Sequence, residues 1–88
     1  MRSPYPNPSR AGVSFGIGRA GEGDVLLRVF DVRGREVARV KDGRRAPGWA
    51  TVAWDGGSIS GQRAPSGVYF AVLSQNAESV TRKFVLSR

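Results

Sequence analysis

Apolar and polar residues alternate with a period of two over most of this 88-residue chain, the pattern of half-buried β-strands. Val13, Phe15 and Ile17 alternate with Ser14, Gly16 and Gly18, and Gly18 to Gly23 reads as a turn. A second strand runs from Asp24 to Phe30, with Val25, Leu27 and Val29 on one face. Asp31-Val32-Arg33-Gly34 then reads as a tight hairpin turn, in which Gly34 takes positive φ and the Asp31 carboxylate accepts a backbone N–H. Glu36 to Val40 is the returning third strand, and Asp42-Gly43 to Pro47-Gly48 reads as loop. Trp49 to Trp54 forms a fourth strand, with Ala50, Val52 and Trp54 on one side and Trp49 on the other.

Asp55 to Gly67 is a Gly/Ser/Pro-containing connection. Gly67 to Ser74 is apolar on both faces, which places it centrally in a sheet, and after a turn at Gln75 to Glu78 the last strand covers Ser79 to Leu86. Apolar residues nowhere recur at helical spacing over a helix length. Six strands with turn signals every ~8–12 residues indicate an all-β sandwich or small barrel, with room for a seventh short strand near Tyr5 or Ser58. Pro4, Pro6 and Pro8 make residues 1–8 an extended leader or linker, so the domain is expected over 9–88.

Composition narrows the chemistry. The chain has neither cysteine nor histidine, which removes disulfides, the usual zinc, copper and iron ligand sets, and His-based nucleophilic catalysis. No apolar run approaches the ~18 residues of a membrane span, and the N-terminal residues lack a signal peptide's apolar centre. An exported protein would therefore carry its signal upstream of this segment. Gly16-Ile17-Gly18-Arg19-Ala20-Gly21 matches G-x-G-x-x-G, but a strand follows where the dinucleotide fingerprint needs a helix. The acids Glu22, Asp24, Asp31, Glu36, Asp42, Asp55 and Glu78 fall mostly in or beside turns, where capping explains them better than catalysis or calcium at Asp55. No enzyme and no cofactor is indicated.

The order and spacing of several segments carry a resemblance. Tyr5-Pro6-Asn7-Pro8 precedes Val13-Ser14-Phe15, and Val29 through Val37 encloses the Asp31–Gly34 turn. Gly48 through Trp54-Asp55-Gly56, Ser66-Gly67-Val68-Tyr69 and Val80-Thr81-Arg82-Lys83-Phe84-Val85-Leu86 come next in order. Together they resemble the C-terminal sorting domain of the type IX secretion system. They are equally similar to the immunoglobulin-like domain of the flagellar hook-capping protein family. The resemblance spans Tyr5 to Arg88 and implies an immunoglobulin-like antiparallel β-sandwich of six to seven strands at the end of a larger secreted or cell-surface bacterial protein. It implies secretion machinery or neighbouring protein domains as partners. The sorting-signal candidates it marks are Gly67, Val68, Tyr69, Arg82, Lys83, Phe84, Val85, Leu86 and Arg88. Ser87-Arg88 departs from the family, whose tails often finish with lysine. The alternative is a structural spacer or assembly domain of the hook-cap type.

Charge adds a third expectation. Fourteen basic residues against seven acidic ones give a net charge of +7. Arg33, Arg35, Arg39, Lys41, Arg44 and Arg45 cluster around the third strand, and strand parity would put Arg35, Val37, Arg39 and Lys41 on one face. A solvated edge strand, whose charges prevent edge-to-edge pairing, explains this stripe better than a dedicated anion site. The anion candidate is an acidic surface glycan. Nucleic acid is disfavoured, because no aromatic residue is interleaved between Phe30 and Trp49. Trp54 and Tyr69 are expected in the core and Trp49 on the surface.

Overall fold

The computed structural model describes residues 1–19, 23–45 and 47–88. Six strands are arranged in order: β1 (Val13–Arg19), β2 (Gly23–Asp31), β3 (Glu36–Arg45), β4 (Gly48–Trp54), β5 (Gly67–Gln75) and β6 (Glu78–Leu86). They form two antiparallel sheets, β1-β4 and β3-β2-β5-β6, that face each other as a sandwich. Each strand turns its alternate apolar residues inward: Val13, Phe15 and Ile17 from β1, Val25, Leu27 and Val29 from β2, Tyr69, Ala71 and Leu73 from β5, and Phe84 and Leu86 from β6. β5 pairs with both β2 and β6, so its two apolar faces belong to a central strand. Ala20, Gly21 and Glu22 of the first turn, the first two of which end the G-x-G-x-x-G match, lie outside the described residues, but strands flank them on both sides.

Aromatic rings make the centre of the core. Phe84 packs edge-on against Phe15 (5.7 Å between centroids) and Trp54 (5.9 Å), and stacks on Tyr69 at 5.9 Å. Trp54 and Tyr69 each keep a polar atom that needs a partner. Trp54 Nε1 donates to Gly57 O at 2.8 Å, and Tyr69 Oη donates to Pro65 O at 2.6 Å. The second bond, from a tyrosine at the start of a strand back to a carbonyl four residues upstream, has the form of the tyrosine corner of immunoglobulin-like sandwiches. Burial pushes the Tyr69 phenol pKa up, with Asp31 adding to the shift.

Two sequence expectations are corrected here. The loop expected from Asp42 is strand: β3 continues through Asp42, Gly43, Arg44 and Arg45 because β2 is long enough to pair with it, Leu26 to Asp42 and Gly23 to Arg45. A partner that satisfies the backbone outweighs the turn propensity of Asp-Gly. The register also shifts twice within the β2–β3 ladder, where Val37 and Val40 are the extra residues. Each bulge reverses the side-chain parity of the residues beyond it.

Residues 1–8 are fastened to both sheets. Arg2 N–H donates to Gly16 O, and Tyr5 and Ser14 exchange both of their backbone bonds, which covers the free edge of β1. Farther along, Asn7 Oδ1 accepts from Val85 N–H at 2.9 Å, and Ser9 bridges β6 in parallel through Val85 O and Ser87 N–H. Pro4 and Ser9 are buried. At the places where a seventh strand had room, the chain forms only the single bridges Tyr5–Ser14 and Gly57–Arg63.

Candidate functional site

The two segments singled out as sorting-signal candidates are the outer ends of the β5–β6 hairpin and form one ladder. Gly67 pairs with Leu86, Val68 with Val85, and Tyr69 with Phe84. The pairing divides the candidates by accessibility. Tyr69, Phe84 and Leu86 are core residues, with Phe84 fully buried, and are beyond the reach of any receptor that meets the folded domain. Val68, Val85 and Arg82 are half-buried, whereas Lys83 is exposed. Arg82 lies on the sandwich-facing side of β6, opposite Ala71, and Lys83 on the outer side, opposite Phe70. A folded tail therefore presents Arg82 and Lys83 at one edge of the sheet, not a continuous stretch of sequence.

Arg88 ends the tail as an internal clamp. Its guanidinium donates to Ala64 O (2.6 Å), Gly56 O (3.1 Å) and Arg10 O (3.2 Å), and its N–H donates to Ser66 Oγ at 2.9 Å. Three carbonyls from three segments suit a planar fork of N–H donors better than a compact ammonium. Gly56 makes room for this arrangement: it takes φ +87°, and a Cβ there would lie 2.8 Å from Ala11 O and 2.6 Å from the Arg88 guanidinium. Gly56 went unmarked as a site residue because only the fold brings residues 10, 56, 64 and 88 together. Replacing Arg88 with alanine is expected to cost roughly 1–2 kcal/mol in urea unfolding, and Arg88→Lys to recover only part of it.

The basic cluster is not one stripe. Arg35 precedes β3 and belongs to the hairpin turn, where Asp31 accepts from its N–H (3.0 Å), its Nε (3.0 Å) and the Arg33 N–H (2.9 Å). The Arg35 N–H, followed by the Arg35 guanidinium and the Arg33 N–H, holds the Asp31 carboxyl below its ordinary pKa against an opposing effect of burial. The bulge at Val40 then parts Arg39 from Lys41. Arg39 pairs with Arg28 on the outer face, and Lys41 pairs with the buried Leu27 on the inner face. Arg39 is held between Glu36 (3.2 Å) and Asp42 (3.5 Å), which raises its pKa, and Arg44 lies 3.9 Å from Asp24. The side chain of Arg45 lies outside the described residues. β3 is an edge of its sheet, as the charge pattern suggested.

Arg33 and Arg35 line one groove together with the Gly67–Tyr69 segment. This shallow groove runs between the hairpin turn and the connection before β5, lined among others by Val32, Arg33, Val37, Ile59, Arg63 and Val68. Val32 and Ile59 are strongly exposed there. On the opposite sheet, Trp49 points outward, 61% exposed, with Arg2 stacked 4.5 Å from its ring. Asp55 Oδ1 accepts from Gly57 N–H at 2.8 Å as a turn cap, and no group of three or more candidate metal-ligating side chains gathers among the described residues.

Comparison with known proteins agrees with this architecture. Residues 9–79 match the family described as the FlgD Ig-like domain. No curated protein matches the chain. Among solved structures, the chain is similar to part of PorZ of Porphyromonas gingivalis, described as an essential bacterial surface component of the type-IX secretion system. The TM-score is 0.65 with 25% sequence identity, over 97% of this chain and 11% of that one.

Proposed function

The chain belongs to the FlgD Ig-like domain family, and from that premise we propose that it is a non-catalytic module that attaches a larger bacterial protein at the cell surface, acting as a C-terminal sorting domain. The observation that carries this reading is the joining of Gly67–Tyr69 and Phe84–Leu86 in one ladder. The aromatic core fixes the tail in place, and the basic pair Arg82-Lys83 is displayed at the edge of the sheet. The likeness to a type IX surface component supports the setting: export across the outer membrane, with the secretion machinery or a neighbouring domain as partner. Absence of histidine and cysteine is in keeping with a contact role.

A reporter directed to the periplasm and fused ahead of residues 1–88 tests the reading in a bacterium with an active type IX system. Surface display is expected, and it should fall to background when Arg82 and Lys83 both become alanine in a domain whose circular dichroism is unchanged. Undiminished display of the double variant would overturn the sorting role.

A structural spacer or assembly domain is the second reading, favoured by the family match itself and by the fastening of both chain ends to the sandwich. The leader binds β1 and β6, and Arg88 binds Arg10. Such a spacer transmits position between neighbours and is indifferent to alanine at Arg82 and Lys83.

A further inference from the structure

The inner faces of the two sheets make the core, but the outer face of β3-β2-β5-β6 is also largely apolar. Leu26, Phe30, Val68, Phe70, Val72 and Val85 all point that way and are half-buried. No other strand packs over them among the described residues. At the middle of this face Arg28 stacks 5.0 Å from the Phe30 ring, with its Nη1 3.7 Å from Glu36 Oε1. A two-layer domain has no internal use for an apolar outer face, and such a face is what an interface leaves behind in an isolated copy.

The register says what fits there. Glu36 pairs with Phe30, Phe30 with Phe70, and Phe70 with Lys83, so one row across the four strands reads acid, phenylalanine, phenylalanine, base. That row is complementary to itself reversed. A two-fold axis along the strand direction, between β2 and β5, lays Phe30 of one copy on Phe70 of the other. The same axis sets Glu36, which Arg39 and Arg28 flank in its own copy, opposite Lys83 of the second copy, twice in the assembly. The neighbouring row behaves in the same way: Arg39, Arg28, Val72 and Thr81 reversed bring Arg28 over Val72 and Arg39 over the Thr81 hydroxyl. For a chain of net charge +7, this face is suited to a second copy because an acid of one meets a base of the other.

We propose that the outer face of β3-β2-β5-β6 is a homodimer interface, in which two copies pack face to face about a two-fold axis with Phe30 against Phe70 and Glu36 against Lys83. Face-to-face sheets align within about 30°, which keeps the rows close to register across the strands. The inference goes beyond the proposed attachment role and does not depend on it: self-association is measured on the purified chain without any secretion machinery.

Sedimentation equilibrium and amide chemical shifts of the 88-residue chain, from micromolar to millimolar concentration, test it. The expected result is a monomer–dimer equilibrium with concentration-dependent shifts in β2, β5 and β6. Phe70→Glu should raise the dissociation constant about tenfold or more. Lys83→Glu, which faces Glu36 with a like charge, should raise it roughly threefold to tenfold, and Lys83→Arg, which keeps the charge, should leave it within about twofold. Circular dichroism checks that each variant is folded; if Phe70→Glu is not, the two Lys83 variants decide. A monomer at every concentration, a dimer indifferent to Phe70→Glu and Lys83→Glu, or equal losses from Lys83→Glu and Lys83→Arg would overturn the proposal. A complex formed only with a foreign domain would do the same.

Discussion

Phe84→Ala is expected to remove about 3–5 kcal/mol of stability, the cost of deleting a large, fully buried aromatic side chain from a packed core. The loss is large against the total. An 88-residue domain has about 4–13 kcal/mol at its disposal at the usual stability per residue. Phe84 touches Phe15, Trp54 and Tyr69, so its ring is shared by β1, β4, β5 and β6, and neither sheet can collapse alone to fill the space. Urea unfolding of the variant should show a midpoint displaced to low denaturant or a chain already partly unfolded at about 25 °C. A stability within ~0.5 kcal/mol of the parent would show that the four rings do not form the core described here. The outcome also bears on function. Phe84 belongs to the proposed sorting tail, and a variant that fails in export because it is unfolded says nothing about recognition. Lys83, exposed on the same strand, is the position at which the two effects separate.

Deleting residues 1–8 is the second large effect, expected to cost roughly 2–4 kcal/mol. The truncated chain loses the Arg2–Gly16 bond, both Tyr5–Ser14 bonds and the Asn7 acceptor for Val85 N–H. Burial of Pro4 and the packing of Met1 on the core go with them. It also uncovers the backbone edge of β1, in which Val13-Ser14-Phe15-Gly16-Ile17-Gly18 carry no charge before the closing Arg19. Uncharged open edges pair with other chains, so residues 9–88 alone should both unfold earlier and aggregate on heating. Equal urea midpoints for the truncated and full chains would mean that the leader rests on the domain without supporting it. The FlgD Ig-like match starts at residue 9, so the contribution of the leader is visible only in the structure.

Much of the candidate tail was legible before its geometry. Alternation in Gly67–Ser74 and Ser79–Leu86 located two strands, and an apolar pattern on both faces of the first placed it centrally. Trp54 and Tyr69 were readable as core, because a small domain needs its largest rings inside. What alternation could not say was which tail residues remain accessible. Phe84 and Leu86 share the inward face with Tyr69 only through the β5–β6 register, and Arg88 finds its carbonyls only after residues 10, 56 and 64 converge.

The amino-acid sequence by itself determined the local elements: six strands from period-two patterning, and the Asp31–Gly34 turn from a carboxylate and a glycine at the required spacing. These arise from interactions within a few residues, which a sequence states directly. Tertiary structure alone decided the length of β3, the two bulges that split Arg39 from Lys41, the docking of residues 1–8, and the row from Glu36 to Lys83. The first two depend on how the two arms of the β2–β3 hairpin pair beyond the turn, and the last two on backbone groups of strands farther along the chain. A long partner strand carried β3 through Asp42-Gly43 against its turn propensity, and one extra residue in the ladder reversed every face beyond it.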